Sequence, residues 1–206
     1  MNLQFSGREL RDLAVAWLAL GVAFTLLLER ELVAALNLGG QLGGLNPPAV
    51  AQTLLVSLLT VGVGFLLHEL AHKVVAVRFG QVAAFRADYR MLGFAIVGAL
   101  VGFLFAAPGA VVHRGHITAR QNGLIALAGP VTNVALALLF LPALLAGGDL
   151  LGQVGNYGVL VNVLLAGFNM LPFGPLDGKK VLAWSKAVYV VVAVPIVAIA
   201  VWLLFL

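Results

Sequence analysis

Six long apolar runs dominate this chain and leave few folds open to it. They cover residues 13–28, 49–77, 91–112, 123–146, 157–176 and 181–206. Hydrophobic residues make up 62% of the 206 residues and charged residues only 10%, whereas a soluble domain is about 45–50% apolar. Because so small a soluble fold could not bury this much apolar surface, the sequence predicts an all-α polytopic membrane protein with five to six transmembrane helices.

Composition also excludes several functions. The chain has no cysteine, so it can contain neither a thiolate metal site nor a thiol nucleophile. The net charge of +4 is better explained as a membrane-orientation signal than as a nucleic-acid footprint. The first run ends in Glu29-Arg30-Glu31 and is not followed by the small-residue cleavage site of a signal peptide. We therefore expect it to be a transmembrane helix that stays in the protein. We expect residues 1–206 to form one membrane domain.

Ionisable residues, which are energetically costly inside a membrane-spanning segment, cluster near the end of the second run, in the pattern His68-Glu69-Leu70-Ala71-His72. On a helix, residues four apart share a face, so both imidazoles can reach one cation. Glu69 lies beside them and can accept a proton from water. The alternative is two unrelated histidines, with Glu69 paired to Lys73 one turn later.

A catalytic zinc site normally has three protein ligands, so a third must come from elsewhere. The candidates are His113, His116, Asp88, Asp149 and Asp177. The two histidines lie in a polar patch typical of solvated side chains, Asp149 is typical of a turn, and Asp88 lies between arginines that could pair with it. Asp177 instead ends an apolar run rich in proline and glycine, where a helix would unwind. An ordinary helix-terminating turn remains an equal alternative there.

Three motifs together resemble the site-2 protease family of intramembrane zinc metalloproteases. They are the HELAH sequence at 68–72, the Gly-Pro-Val-Thr-Asn sequence at 129–133, and the segment 169–178 that ends in Leu-Asp-Gly. The resemblance covers roughly residues 50–180. The opening residues 5–12 resemble the start of a small prokaryotic branch, such as an archaeal one.

The resemblance implies a fold with a three-helix catalytic core and an enzyme that hydrolyses peptide bonds within or near transmembrane segments of other proteins. It implies one Zn²⁺ ligated by His68, His72 and Asp177, with Glu69 as general base. Asn133 and Asn169 are the implied contacts to substrate or oxyanion. Many relatives carry PDZ or CBS domains, and we expect neither in this chain.

The implied chemistry requires an unwound substrate, because an intact helix hides its carbonyl groups in hydrogen bonds. An exposed strand edge could bind such a segment as an added strand. The candidate edge comprises Ala107, Pro108, Gly109, Ala110, Val111 and Val112. The expected partners are therefore a transmembrane protein substrate and the lipid bilayer, with no nucleic acid.

Two other functions remain open at this point. A metal-ion transporter or permease could use the same His, Glu and Asp cluster as a binding site, although no internal repeat of the kind common in transporters is evident. The second is a catalytically inactive scaffold of the same fold, but the intact HExxH pattern and Asp177 argue against this alternative.

Charge counting predicts the topology. If residues 91–112 re-enter the membrane as a loop or short β-hairpin, eleven of the twelve lysines and arginines lie on one face and only Arg30 on the other. If the run spans the membrane, the split becomes six to six. The positive-inside rule favours the first arrangement. We therefore predict five spans and one re-entrant segment in the cell membrane, with the N-terminus and the mouth of the active site cytoplasmic.

Overall fold

The computed structural model describes residues 3–37, 46–104 and 108–205. Within these residues, five helices are long and apolar enough to cross a membrane: Gly7–Leu28, Pro47–Arg78, Ala119–Ala146, Asp149–Asn169 and Lys186–Leu204. The prediction of an all-α polytopic membrane protein is therefore confirmed. The chain is a multi-pass membrane protein.

Nine helices and two strands make up the described part of the chain. The helices are α1 (Gly7–Leu28), α2 (Arg30–Asn37), α3 (Pro47–Ser57), α4 (Val63–Arg78), α5 (Tyr89–Leu100), α6 (Ala119–Ala146), α7 (Asp149–Asn169), α8 (Asp177–Trp184) and α9 (Lys186–Leu204), and the strands are β1 (Val82–Ala87) and β2 (Gly109–Arg114). A π-helical segment, Leu58–Gly62, joins α3 to α4 in one continuous rod.

The fifth apolar run differs most from its helix. It was predicted to begin at residue 157, but α7 begins at Asp149. Glycines in the intervening stretch weaken the apolar pattern, but Gly155 is needed for packing, because a Cβ on it would collide with the backbone of Leu144. Gly158, just inside the predicted run, plays the same part, since a Cβ there would collide with the ring of Phe140. Small residues of this kind let membrane helices approach closely.

The third run turns back towards its starting point, as predicted, but its first part forms the helix α5 (Tyr89–Leu100) rather than a loop or short β-hairpin. β1 pairs with β2 in antiparallel register from Val82↔Arg114 to Ala87↔Gly109, so the chain leaves the sheet after Ala87 and returns to it at Gly109. Between the strands, α5 packs along α1, and Arg30 Nη1 donates a hydrogen bond of 3.0 Å to the carbonyl of Ala99. The tip of α5 therefore lies near the far end of α1. Ala107 lies outside the described residues.

The sheet packs on the helices that form the interior of the bundle. Phe85 of β1 is fully buried and makes an edge-to-face contact with Phe65 of α4, with ring centroids 5.8 Å apart. Leu13 of α1 and Val161 of α7 belong to the same buried cluster. These contacts hold the sheet beside the helix that carries the HExxH pattern.

Cysteine labelling can test this topology, and the absence of native cysteine removes background. Cysteines placed at Arg8, Arg114 and Lys180 should react with a membrane-impermeant maleimide from one side, because the sheet returns residues 88–108 to their starting side. A cysteine at Gly148, after the long helix α6, should react only from the other side. Labelling of Arg114 from the Gly148 side would contradict the arrangement.

Candidate metal centre

Three buried side chains converge where α4 meets the start of α8. The Nε2 atoms of His68 and His72 lie 3.0 Å apart. Asp177 Oδ2 lies 3.4 Å from the first and 3.1 Å from the second. One ligand atom from each residue lies within 4.8 Å of the other two. The structure thus brings together the three residues that the resemblance implied as ligands.

A sharp turn after α7 delivers Asp177 to this point. Residues 170–176 leave the helix, and Gly174 adopts a φ of 59°, a conformation that favours glycine. A Cβ on Gly178 would collide with the carbonyl of Met170, so the residue after Asp177 must also be glycine. The Leu-Asp-Gly sequence therefore fits a turn whose geometry aims one carboxylate at two imidazoles.

The ionisation of Asp177 suits a ligand. Burial favours the neutral acid, but hydrogen bonds that His68 and His72 donate when their imidazoles are protonated outweigh burial and hold the pKa of this carboxyl well below its usual range. Lys180 lies 3.2 Å from Asp177 Oδ1 and adds a favourable charge. The carboxylate is therefore ready to bind a cation.

The donor set fits zinc. Two imidazole nitrogens and one carboxylate oxygen are the set that a catalytic zinc site uses, with a fourth position left for water or substrate. Gly129 of α6 faces the two rings, and a Cβ at this position would come within 2.5 Å of His68 Nε2 and 2.6 Å of His72 Nε2. A side chain there would fill the space beside the two Nε2 atoms, which explains the glycine of the Gly-Pro-Val-Thr-Asn motif.

Both imidazoles are oriented from behind by oxygen acceptors. His68 Nδ1 lies 2.5 Å from Asn133 Oδ1, and His72 Nδ1 lies 2.7 Å from the carbonyl of Ile125. In the neutral ring, a proton on Nδ1 leaves the Nε2 lone pair for the metal. α6 supplies both acceptors, so this helix fixes the tautomer of both candidate ligands.

The side-chain oxygen and nitrogen of Asn133 both form hydrogen bonds within the bundle. Its side chain is 0% exposed, and Nδ2 donates to the carbonyl of Gly64 at 3.1 Å and to Asn162 Oδ1 at 2.8 Å. The predicted contact with a substrate or oxyanion therefore has no free donor in this structure. The geometry favours orientation of His68 instead. Sequence reasoning missed Asn162, although an asparagine within an apolar run is itself a signal, because such a residue is costly in a membrane.

Glu69 and Asn169 lie on the open side of the centre. Glu69 Oε2 accepts the N–H of Val111 at 2.9 Å, whereas Lys73 pairs with Glu9, so the alternative of a Glu69–Lys73 pair is wrong. Asn169 donates to the carbonyl of Leu165 at 2.9 Å. Both residues line the same cavity as the three candidate ligands, so Asn169 stays a candidate for substrate contact.

The remaining candidates for a third ligand have other surroundings. Asp88 caps α5 by accepting the N–H groups of Arg90 and Met91, so the expected ion pair with neighbouring arginines is replaced by a helix cap. Asp149 begins α7. His113 lines the cavity from β2, and burial, with a smaller effect of Lys180, lowers the pKa of this imidazole.

The cavity beside the centre has a volume of about 1400 Å³. Near the metal centre its wall includes Glu69, Val111 and Asn169. Farther away it is apolar and is formed by α1, α7 and α9, for example by Phe24, Leu164 and Val201. The centre therefore opens onto an apolar space between spanning helices.

The orienting contact from Asn133 can be tested by metal affinity. Asn133→Ala should weaken zinc binding by about tenfold to a hundredfold, the usual effect of losing a partner behind a histidine ligand. Competition with a chromophoric chelator measures this affinity. Asn169→Ala is the matched control, because the Asn169 side chain donates to the carbonyl of Leu165 rather than orienting His68 or His72, and the zinc affinity of this variant should equal that of the wild type. Equal affinity in both variants would contradict the role given to Asn133.

Comparison with known proteins supplies the family. The chain is 38% identical over 207 residues to a protein of Methanocaldococcus jannaschii named "Putative zinc metalloprotease MJ0611", and the match covers 98% of this chain and 97% of that protein. It is also 33% identical over 144 residues to the Bacillus subtilis protein named "Putative zinc metalloprotease YwhC", and this match covers 60% of this chain and 66% of that protein. No family model and no solved structure matches the chain.

These names and the donor set agree on the metal. Both relatives carry zinc in their names, and His68, His72 and Asp177 form a group that can hold such an ion. Zinc is therefore the cofactor. A likeness of this level over nearly the whole of both chains shows that this protein belongs to a family of zinc metalloproteases.

Proposed function

We propose that this protein is an intramembrane metalloprotease of the site-2 protease type, which hydrolyses peptide bonds within or near transmembrane segments of other membrane proteins. One observation carries the proposal. The buried His68, His72 and Asp177 open onto an apolar cavity that α1, α7 and α9 line. A soluble protease has no need for such a cavity, whereas a transmembrane segment fits its chemistry.

Glu69 is the proposed general base. Bound zinc supplies Lewis acidity, which activates water and polarises the scissile carbonyl. The Glu69 carboxylate follows His68 on α4, is buried, and is held by the N–H of Val111 at 2.9 Å. It can accept a proton from water and pass it to the leaving amine. Because Glu69 lies outside the ligand set, proton transfer and metal binding are carried by different residues.

β2 is the proposed receiving edge for an unwound substrate. Val111 donates its N–H to Glu69, away from β1. Alternation in an antiparallel ladder turns the backbone groups of Gly109 and His113 the same way, whereas Ala110 and Val112 face β1. An added substrate strand would therefore lie beside Glu69. The proposed edge overlaps the stretch expected from the sequence, of which Ala107 is outside the described residues.

The two other functions have less support. The transporter alternative is not favoured, because both relatives bear protease names and the charged groups of the centre form a set suited to catalytic zinc. An inactive scaffold would not need Glu69 beside three intact ligands.

The proposed location is the cell membrane, with the N-terminus and the mouth of the active site on the cytoplasmic side. The support is the excess of lysine and arginine on the face that carries the centre, where Lys179 and Lys180 follow Asp177. The proposed partners are a transmembrane protein substrate and the bilayer, with no nucleic acid.

Substitution can separate the base from the ligands. Glu69→Gln should retain about one zinc per chain and lose hydrolysis by roughly a hundredfold to ten-thousandfold, the usual contribution of a general base. His68→Ala, His72→Ala and Asp177→Ala should each lose zinc itself. Zinc content and cleavage of a transmembrane substrate in proteoliposomes measure both effects. Glu31→Gln is the control, because Glu31 is an exposed glutamate of α2. Full activity in Glu69→Gln would contradict the proposed mechanism.

Chelation tests the metal dependence. 1,10-Phenanthroline should stop cleavage because the ligands release zinc to the chelator, and added zinc should restore cleavage. A serine-directed inhibitor serves as the control and should have no effect. Inhibition by the serine reagent alone would point to another nucleophile.

A further inference from the structure

A buried ion pair outside the metal centre joins α1 to α4. Lys73 Nζ lies 2.7 Å from both carboxylate oxygens of Glu9 and 2.6 Å from the carbonyl of Gln4. It also lies 3.7 Å from the ring centroid of Phe5. Lys73 and Glu9 are each 1% exposed. Apolar residues of similar volume often replace a buried pair without loss of stability, so stability alone does not explain this pair.

Glu9 is bonded to the sheet as well as to Lys73. Its Oε1 atom accepts the N–H of Phe85 at 2.9 Å. Phe85 stands opposite Val111 in the register of the sheet, and Val111 donates its own N–H to Glu69 at 2.9 Å. The two amides of this cross-strand pair therefore point in opposite directions, each towards one carboxylate.

These contacts form a closed ring. Lys73 and Glu69 both belong to α4 and stand one helical turn apart. The ring leaves α4 at Lys73, passes through Glu9 and the sheet, and returns to α4 at Glu69. A two-stranded sheet is only marginally stable by itself, so its position relative to α4 depends on such anchors. The anchor on the β1 side is the carboxylate of Glu9.

We propose that Glu9, whose buried charge Lys73 neutralises, is a positioning residue for Glu69. By accepting the N–H of Phe85, Glu9 holds the Phe85 and Val111 cross-strand pair in place, and the N–H of Val111 then holds the carboxylate of Glu69 and the free edge of β2 in one geometry. This inference rests on the proposed function in taking Glu69 as the base. Glu9 itself contacts no reacting group and acts only through the sheet.

Two double variants isolate the acceptor for Phe85. Glu9→Gln with Lys73→Met and Glu9→Leu with Lys73→Met both remove the ion pair without leaving a buried charge unpaired. Only the glutamine variant keeps a side-chain oxygen for the N–H of Phe85. The glutamine variant should keep a kcat close to wild type. The leucine variant should lose about tenfold to a hundredfold in kcat, the range expected for one buried hydrogen bond, with zinc content unchanged.

Hydrogen exchange supplies a readout that does not depend on activity. In the zinc-loaded protein, the segment 108–114 should exchange faster in the leucine variant than in the glutamine variant or the wild type. Tyr89→Phe is the matched control, because it removes another tie between α1 and this region, the 2.6 Å hydrogen bond from Tyr89 to Asp12 Oδ1. Its kcat and its exchange in 108–114 should equal those of the wild type.

Each outcome decides the proposal. Equal kcat and equal exchange in the two double variants would overturn it. Loss of zinc or of the folded state in the leucine variant would also overturn it, because the pair would then be purely structural. If the wild type cleaves no transmembrane substrate, the proposed function fails, whereas the exchange comparison still decides whether Glu9 holds β2 in place.

Discussion

Hydrocarbon offers no hydrogen bonds, so every polar group inside this bundle depends on a partner within the protein. An unpaired polar group costs roughly several kcal/mol in such surroundings. The chain meets this constraint with connected sets of contacts. His68 bonds Asn133, which bonds Asn162, and Asn162 Nδ2 donates to the carbonyl of Gly158 at 2.8 Å. The metal centre is the end of this polar chain, which explains why α4, α6 and α7 must stay in register.

Close approach between helices makes these short polar contacts possible. A Cβ on Gly64 would come within 2.8 Å of Asn162 Oδ1, and one on Gly129 would collide with the two imidazoles. Glycine is therefore required on α4 beside the asparagine and on α6 beside the metal centre. The same small surface that lets helices pack in a membrane here also leaves room for two ligands and their metal.

The sequence was sufficient for the parts that local physics decides. The apolar runs predicted the five spans, and the charge asymmetry predicted the return of residues 91–112, because both follow from transfer into a bilayer. The spacing of His68 and His72 placed them on one helical face, whereas the third ligand stayed open until the family resemblance selected Asp177. What the sequence could not supply was long-range pairing. Neither the partner of Lys73, which lies 64 residues away at Glu9, nor the saturation of Asn133 by Asn162 has a local signature.

The same need for hydrogen-bond partners applies to the sheet beside the metal centre. The two strands have two outer edges, and each edge exposes N–H and C=O groups that need partners. On the β1 edge, Glu9 accepts the N–H of Phe85, and on the β2 edge, Glu69 accepts the N–H of Val111. A buried carboxylate thus serves each edge, but one residue of contact cannot satisfy the rest of β2. In the proposed function, an added substrate strand would supply further bonds along this edge, so one extended peptide would meet both the energetic need of the sheet and the chemical need of Glu69.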